Sequence, residues 1–276
     1  MSVRIDADLK FPLDVMSDIH LEFTNVQTIQ DMEKKGFITI PKDAIERTLV
    51  LAGDIGHPYD EQYWSFLFSC CDIYDRVLCV AGNHEYYSKP SRQIFFDEIT
   101  DTMKMKRNER TNLHIFLDEI IEFNNVTVVG GTLWTNIPIS KAHIIHSMMN
   151  DYNLIYKNHN TCLDIDDTKT MHQKSKSIIK QCIEKSEKKI IVITHHLCSS
   201  ELIHPQYKGS PINIAFYTDL SDIMNENILV WICGHTHRKM IKNVRYKDDL
   251  NCKVIINPMG YPGENTHHGI ESFYDV

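Results

Sequence analysis

Five stretches of this chain share one build: an apolar, mostly β-branched run of strand length that stops on Gly, Asp, Asn or His. They are "LDVMSDIH" (13–20), "TLVLAGDIG" (48–56), "RVLCVAGNHE" (76–85), "KIIVITHH" (189–196) and "ILVWICGHTH" (228–237). Successive strand side chains point to opposite faces, so a continuous apolar run bounded by turn residues predicts a strand buried on both faces. Segments of helical character lie between the runs, over 58–73 after Pro58, 88–106 after Ser88, 168–187 and 217–226. Such alternation predicts a layered α/β fold.

The middle and the end of the chain depart from this rhythm. "NLHIFLDEIIEFNNVTVVGGTLW" (112–134) predicts consecutive strands broken at Asp118–Glu119 and at Asn124–Asn125, the second break being a hairpin signal. A polar, His-scattered stretch (136–167) follows, and "KMIKNVRYKDDLNCKVIINPMGY" (239–261) predicts a final hairpin. No repeat, low-complexity tract or long linker divides the 276 residues. One domain over 1–276 is therefore expected, with 136–187 as a possible cap or insert.

Composition narrows the class. Hydrophobic residues make up 42% and charged residues 24%, as in an ordinary globular chain. A net charge of −8 and a pI near 6.0 argue against a broad basic surface for long nucleic acid. The charge runs at 103–110 and 184–189 read as solvated helix faces, and His267–His268 are given no role. The N-terminal "MSVRIDADLKFPLDV" is too charged for a secretory signal, and no apolar run approaches the ~20 residues that span a bilayer. Eight cysteines without a CxxC pair read as buried reduced thiols, so a cytoplasmic location without membrane contact is expected.

The candidate chemistry sits at the ends of the five apolar runs, where open α/β sheets place their ligand crevices. Those ends carry Asp18 and His20, Asp54, Asn83 and His84, His195 and His196, and His235 and His237. A single Asp there is usually a helix cap, and a single His a packing residue. Recurrence at five ends is not explained by capping and points to metal. His235 and His237 would face the same way on an extended segment. The set holds no thiolate, which excludes a Cys-type structural zinc site. Oxygen and imidazole donors together suit Mn²⁺, Fe²⁺, Zn²⁺ or Ni²⁺. There are more donors than one tetrahedral ion can use, whereas two ions sharing a carboxylate fit, an arrangement suited to in-line phosphoryl displacement.

In order, "SDIH", the GD of "LAGDIG", "GNHE", "THH" and "GHTH" resemble the motifs of the calcineurin-like metallophosphoesterase superfamily over residues 13–237. "NPMGYPGEN" (257–265) is similar to a C-terminal stretch of its small members beginning "SDxHLEF". The resemblance implies a four-layer αββα sandwich of two mixed β-sheets flanked by helices, with the metal site at the strand C-terminal ends. It also implies two divalent ions, Mn²⁺ first among them. Asp18, His20 and His237 would hold one and Asn83, His195 and His235 the other, with Asp54 bridging. Gly53, Gly82 and Gly234 would let the backbone turn sharply at these ends. His195 and His196 compete for one place; the family favours the first, and strand alternation turns His196 away. A metal-bridging hydroxide would then attack phosphorus in line, with Asp54 and His84 as the catalytic residues and His84 stabilising charge or protonating the leaving oxygen.

The substrate is less determined. Protein phosphatases of the superfamily carry GDxVDRG, but this chain reads "GDIGHP", lacking the arginine and placing His57 where the second Asp would be. Met259 stands where related sequences often have an arginine. A small phosphodiester, nucleotide-like or other, is the leading expectation, with His57, His196 and Trp134 as candidate substrate contacts and Trp134, Tyr152 and Tyr156 as a base-stacking wall. A phosphomonoesterase or protein phosphatase, and a non-catalytic metal-binding scaffold of the same fold, stay open.

Overall fold

The computed structural model describes residues 2–89, 91–264 and 269–274; His267 and His268 lie outside them. The strands are β1 (Ser2–Arg4), β2 (Leu13–Met16), β3 (Thr48–Ala52), β4 (Arg76–Val80), β5 (Leu113–Phe116), β6 (Glu119–Glu122), β7 (Val126–Gly131), β8 (Tyr156–Asn158), β9 (Thr161–Cys162), β10 (Lys189–Thr194), β11 (Ile228–Cys233), β12 (Met240–Lys247), β13 (Leu250–Ile256) and β14 (Glu271–Phe273). The helices are α1 (Ile29–Lys34), α2 (Glu61–Cys71), α3 (Phe96–Lys106), α4 (Ile139–Met148), α5 (Asp151–Leu154) and α6 (Ile165–Lys185).

Two mixed sheets result. One has the order β14-β2-β3-β4-β5 and the other β1-β6-β7-β10-β11-β13-β12. The parity of the apolar runs explains how they stack. Val15 (β2), Val50 and Ala52 (β3) and Leu78 and Val80 (β4) meet Val128 (β7), Ile191 and Ile193 (β10) and Val230 and Ile232 (β11) between the sheets. The alternate residues Leu49, Leu51, Val77 and Cys79 face outward onto α1, α2 and α3. On the far side Val192, Trp231 and Cys233 are covered by Ile179, Cys182 and Ile183 of α6. Each central strand is thus buried on both faces, and helices flank both sheets to give four layers.

The chain changes sheet between β5 and β6, at the break read at Asp118. Asn124 and Asn125 then turn β6 into antiparallel β7, and β12 pairs antiparallel with β13 as the final hairpin. Two helix predictions need correction. Over 217–226 there is only a 3₁₀ turn, Ser221–Ile223, because Thr218 and Leu220 donate their N–H groups to Leu197 and Cys198 as extended backbone. The helix expected from Ser88 begins at Phe96, since the Ser88 hydroxyl and the backbone of Ile94 bond each other across a loop.

The 136–187 stretch divides rather than acting as one cap. Its α6 belongs to the outer layer of the large sheet. Ile137, Ile145, Met149 and Tyr152 instead form a small separate core with Ile212, Ala215 and Phe216, roofing the strand ends. All eight cysteines are free, and no helix of the described residues is long and apolar enough to cross a membrane.

Candidate metal centre

The seven candidate ligands converge where the two sheets meet. Asp18, His20, Asp54 and His237 bring donor atoms within 4.8 Å of one another, and Asp54, His195 and His235 do the same. Asp54 belongs to both groups. Asn83 joins the second, its Oδ1 lying 3.1 Å from His195 Nε2. His235 and His237 are not on an extended segment: they follow β11 in left-handed turns, with φ of 70° and 49°, and so serve different groups. Asp18, His20 and Asp54 share that conformation at φ 51°, 52° and 53°. It costs a non-glycine residue of order 1–3 kcal/mol and persists where surrounding contacts over-determine it, typically at functional sites.

The glycines of the motifs make room for this convergence. Only Gly53 has positive φ, +86°. A Cβ on Gly82 would run into the Asp54 carboxylate, and one on Gly234 would sit 2.7 Å from the Ala52 carbonyl and 2.8 Å from Asp18 Oδ2. Their role is therefore space rather than the sharp turn expected from the sequence. Glu85 ties the turns together by accepting the N–H groups of Asp54, Ile55 and Gly82 at 3.0, 2.7 and 2.7 Å.

Hydrogen bonds orient the imidazoles. His195 Nδ1 faces the Ala52 carbonyl at 2.8 Å, His20 Nδ1 faces Glu22 Oε1 at 3.0 Å, and His237 Nδ1 faces Glu264 Oε2 at 2.6 Å. A carbonyl or carboxylate oxygen only accepts, so each Nδ1 carries a proton and each Nε2 is left facing the centre, where it would offer its lone pair to a bound metal. Asn83 is fixed likewise: its Nδ2 donates to Asp151 Oδ1 at 2.9 Å and to Tyr87 Oη at 3.0 Å, turning its oxygen to the centre. The Nε2 atoms then crowd one another and the Asp54 carboxylate. His20 Nε2 and His237 Nε2 are 3.0 Å apart, and His195 Nε2 is 3.2 Å from Asp54 Oδ2. The buried His235 Nε2 has no hydrogen-bond partner. Converging imidazole and carboxylate groups with one orphaned imidazole nitrogen are what cations would satisfy, and the donor set suits borderline divalent metals.

Electrostatics agree. Burial alone would raise the Asp54 carboxyl, but His195 and His84 hold it well below the usual range, and it stays anionic. Burial would lower His195, yet Asp54 and Asp18 push it up to about 10, the response of an imidazole among anions awaiting a cation. His235 is driven well below its ordinary value by burial and by His196 and His195, so it is neutral and free to ligate.

His84 is outside the two groups that share Asp54, but with His20 and Glu22 it forms a third cluster whose donor atoms lie within 4.8 Å of one another. Its N–H donates to Asp54 Oδ1 at 2.9 Å, its Nδ1 faces Glu22 Oε1 at 2.9 Å, and its Nε2 lies 3.1 Å from Tyr261 Oη. Glu22 thus receives both His20 and His84. Burial would raise its carboxyl, but those two hydrogen bonds bring it down to about 2. Glu22, Asp151 and Tyr261 were absent from the sequence reading. Asp151 carries no local signal, whereas Glu22 and Tyr261 lie inside the family-like stretches "SDIHLEF" and "NPMGYPGEN", which name no role for either.

The remaining candidates lie off the centre. His57 bonds Tyr59 Oη at 3.0 Å and stacks on that ring. His196 turns its Nδ1 to the Thr132 carbonyl at 3.1 Å and is kept neutral, at about 3, by burial and by His195. Trp134 is buried against His196 and Tyr86. Tyr152 is buried in the roof, bonded to Thr168, and Met259 packs in the core of the smaller sheet. None of these residues lines the cleft of about 310 Å³ above the centre; its aromatic lining is Tyr87, Tyr207, Phe216 and Tyr261, which corrects the expected stacking wall.

A buried cluster of histidines and carboxylates at parallel strand ends, roofed by a cleft, defines a metallophosphoesterase-type centre. The family profile of the calcineurin-like phosphoesterases matches residues 11–239, and the chain belongs to that family. It is 34% identical over 285 residues to an uncharacterised protein of Acanthamoeba polyphaga mimivirus, with 96% of each chain covered. Its fold is similar to the solved phosphopantetheinyl hydrolase of Mycobacterium tuberculosis, with a TM-score of 0.70, 16% identity and 96% of each chain covered.

Proposed function

We propose that this chain is a two-metal phosphodiesterase that cleaves a small phosphodiester by in-line attack of water at phosphorus. The observation that carries the reading is the pair of donor groups sharing Asp54, with His20 Nε2 and His237 Nε2 3.0 Å apart and His235 Nε2 unpartnered beneath an open cleft. Asp18, His20 and His237 would hold one ion and Asn83, His195 and His235 the other. When bound, the ions (Mn²⁺ first, with Fe²⁺, Zn²⁺ or Ni²⁺ as alternatives) supply a water activated near neutral pH and neutralise phosphoryl charge.

The protein's own groups would do the rest. His84 Nε2, beside Tyr261 Oη, is positioned to give a proton to the leaving oxygen, a role typically worth ~10²–10⁴-fold. Glu22 on Nδ1 fixes the ring so that the transferable proton is the one on Nε2. A diester is favoured over a monoester because, among the described residues, no lysine or arginine lines the cleft to meet a second negative charge. The phosphatase arginine is missing from "GDIGHP" for the same effect. The proposal includes a cytoplasmic setting, supported by eight free cysteines, and a small substrate rather than long nucleic acid.

The test is hydrolysis of bis-p-nitrophenyl phosphate and p-nitrophenyl phosphate by metal-stripped protein before and after Mn²⁺ is added. Expected are metal-dependent activity, preference for the diester, and loss of turnover in Asp54→Asn; His84→Ala should lose turnover of a dialkyl phosphate and keep most of it with these p-nitrophenyl esters, whose leaving group needs no proton. Metal binding without turnover of either ester would sink the catalytic reading.

A further inference from the structure

The cleft above the centre has a lopsided chemistry. Its floor carries the ionisable groups, Asp54, His84, His235 and His237. Its walls are Met148, Met149, Ile203, Ile212, Phe216 and Tyr207 from the roof. Among the described residues, the polar wall groups are neutral amides and hydroxyls such as Asn150, Asn213 and Ser210, the other charged group is Glu264, and no lysine or arginine lines the cleft. Phe216 reaches down to the centre, its ring 4.4 Å from His235. Among the described residues, the place to meet negative charge is therefore the floor, which the reacting phosphate occupies.

Resting on the reading above, we propose that the cleft selects a phosphodiester whose second substituent is uncharged and largely apolar, an alkyl or aryl alcohol, and rejects substrates carrying a second phosphate. An apolar substituent removes Met149, Ile212 and Phe216 from water and gains with each buried methylene. A second phosphate would be desolvated against the same wall with no cation to pair it and with Glu264 opposing it. Polyphosphate esters are disfavoured by the wall itself, whatever the metals do. Met148 and Tyr207, 55% and 44% exposed, form the outer part of this wall and can be altered without touching the buried centre.

The experiment uses p-nitrophenyl alkyl phosphates with methyl, butyl and hexyl groups, and a butyl group ending in phosphate. All share one reacting centre and one leaving group, so differences in kcat/KM report the cleft. Full burial of one methylene is worth about a threefold to fourfold gain, so a rise of at least about tenfold from methyl to hexyl is expected. The phosphate-ended ester should fall at least about tenfold below the butyl ester, a gap that Met148→Lys narrows. Tyr207→Ala should raise KM for the hexyl ester while leaving kcat within about twofold. Calorimetry on Mn²⁺-loaded protein with non-hydrolysable methyl-, hexyl- and phosphate-ended phosphonates should rank Kd in the same order. A flat chain-length series, or tighter binding of the phosphate-ended ligand, overturns the inference. Absence of turnover with all four esters would refute the catalytic reading instead, and the Kd ranking would still decide this one.

Discussion

Glu22 offers the sharpest test of how the site works, because one oxygen serves two histidines with different tasks. Its Oε1 accepts from His20, a candidate ligand, and from His84, the candidate proton donor, at 3.0 and 2.9 Å. Glu22→Gln keeps the shape and removes the charge. Against burial, the two hydrogen bonds bring the carboxyl from 4.5 to about 2, which corresponds to roughly 3 kcal/mol in favour of its charged form. In metal-free protein that stabilisation is fully present above pH 4.5 and is lost as the pH falls through about 2. If most of it orients and charges His84, the variant loses roughly 10²-fold where proton transfer to the leaving group limits the rate.

The leaving group separates that role from a purely metal-holding one. An alkoxide needs a proton to depart, whereas p-nitrophenolate leaves unaided. Glu22→Gln should therefore lose roughly 10²-fold in kcat/KM with a dialkyl phosphate but less than about fivefold with bis-p-nitrophenyl phosphate. Bound metal, measured by atomic emission, should be unchanged. Equal losses with both esters accompanied by loss of metal would show that Glu22 acts only through His20, and the His84 orientation argument would fail.

Two further substitutions test packing and titration. Gly82→Ala and Gly234→Ala push a methyl group into Asp54 or against Asp18, so each should weaken Mn²⁺ binding by at least about tenfold and cost about 1–3 kcal/mol in thermal unfolding. Gly269→Ala, with open space at its Cβ, should change neither, and unimpaired metal binding in the first two would refute the space argument. His114, far from the centre on β5, is lowered to about 4 by burial and by Arg76 and Arg107. The unfolded chain then takes up a proton near pH 6.5 that the native state refuses, so stability falls as the pH drops from 6.5 to about 4, by roughly 3 kcal/mol in total. His114→Phe should flatten that part of a urea-unfolding pH series, and an unchanged slope would assign the acid sensitivity elsewhere.

What could be read from the sequence was whatever one strand encodes by itself. The runs around Val50, Leu78, Val192 and Val230 are apolar at every position because both faces are covered, and that alone predicts central strands between helical layers. Their terminal polar residues stand out for the same reason. What escaped depends on distant segments meeting. Asp151 orients Asn83 across 68 residues and Tyr261 reaches His84 across 177, with no periodicity or spacing to announce either. The histidine pair of "GHTH" shows where strand alternation misleads. Alternation along a strand would have aimed both rings at one ion, but left-handed turns at His235 and His237 send them to different groups. Those turns are strained for non-glycine residues, so local preference opposes them. They are held by long-range bonds such as the His235 N–H to Asp18 Oδ1 at 2.9 Å, a contact across 217 residues. The centre is therefore built where local preference is overruled by the meeting of the two sheets, which is why its residue types were legible and its wiring was not.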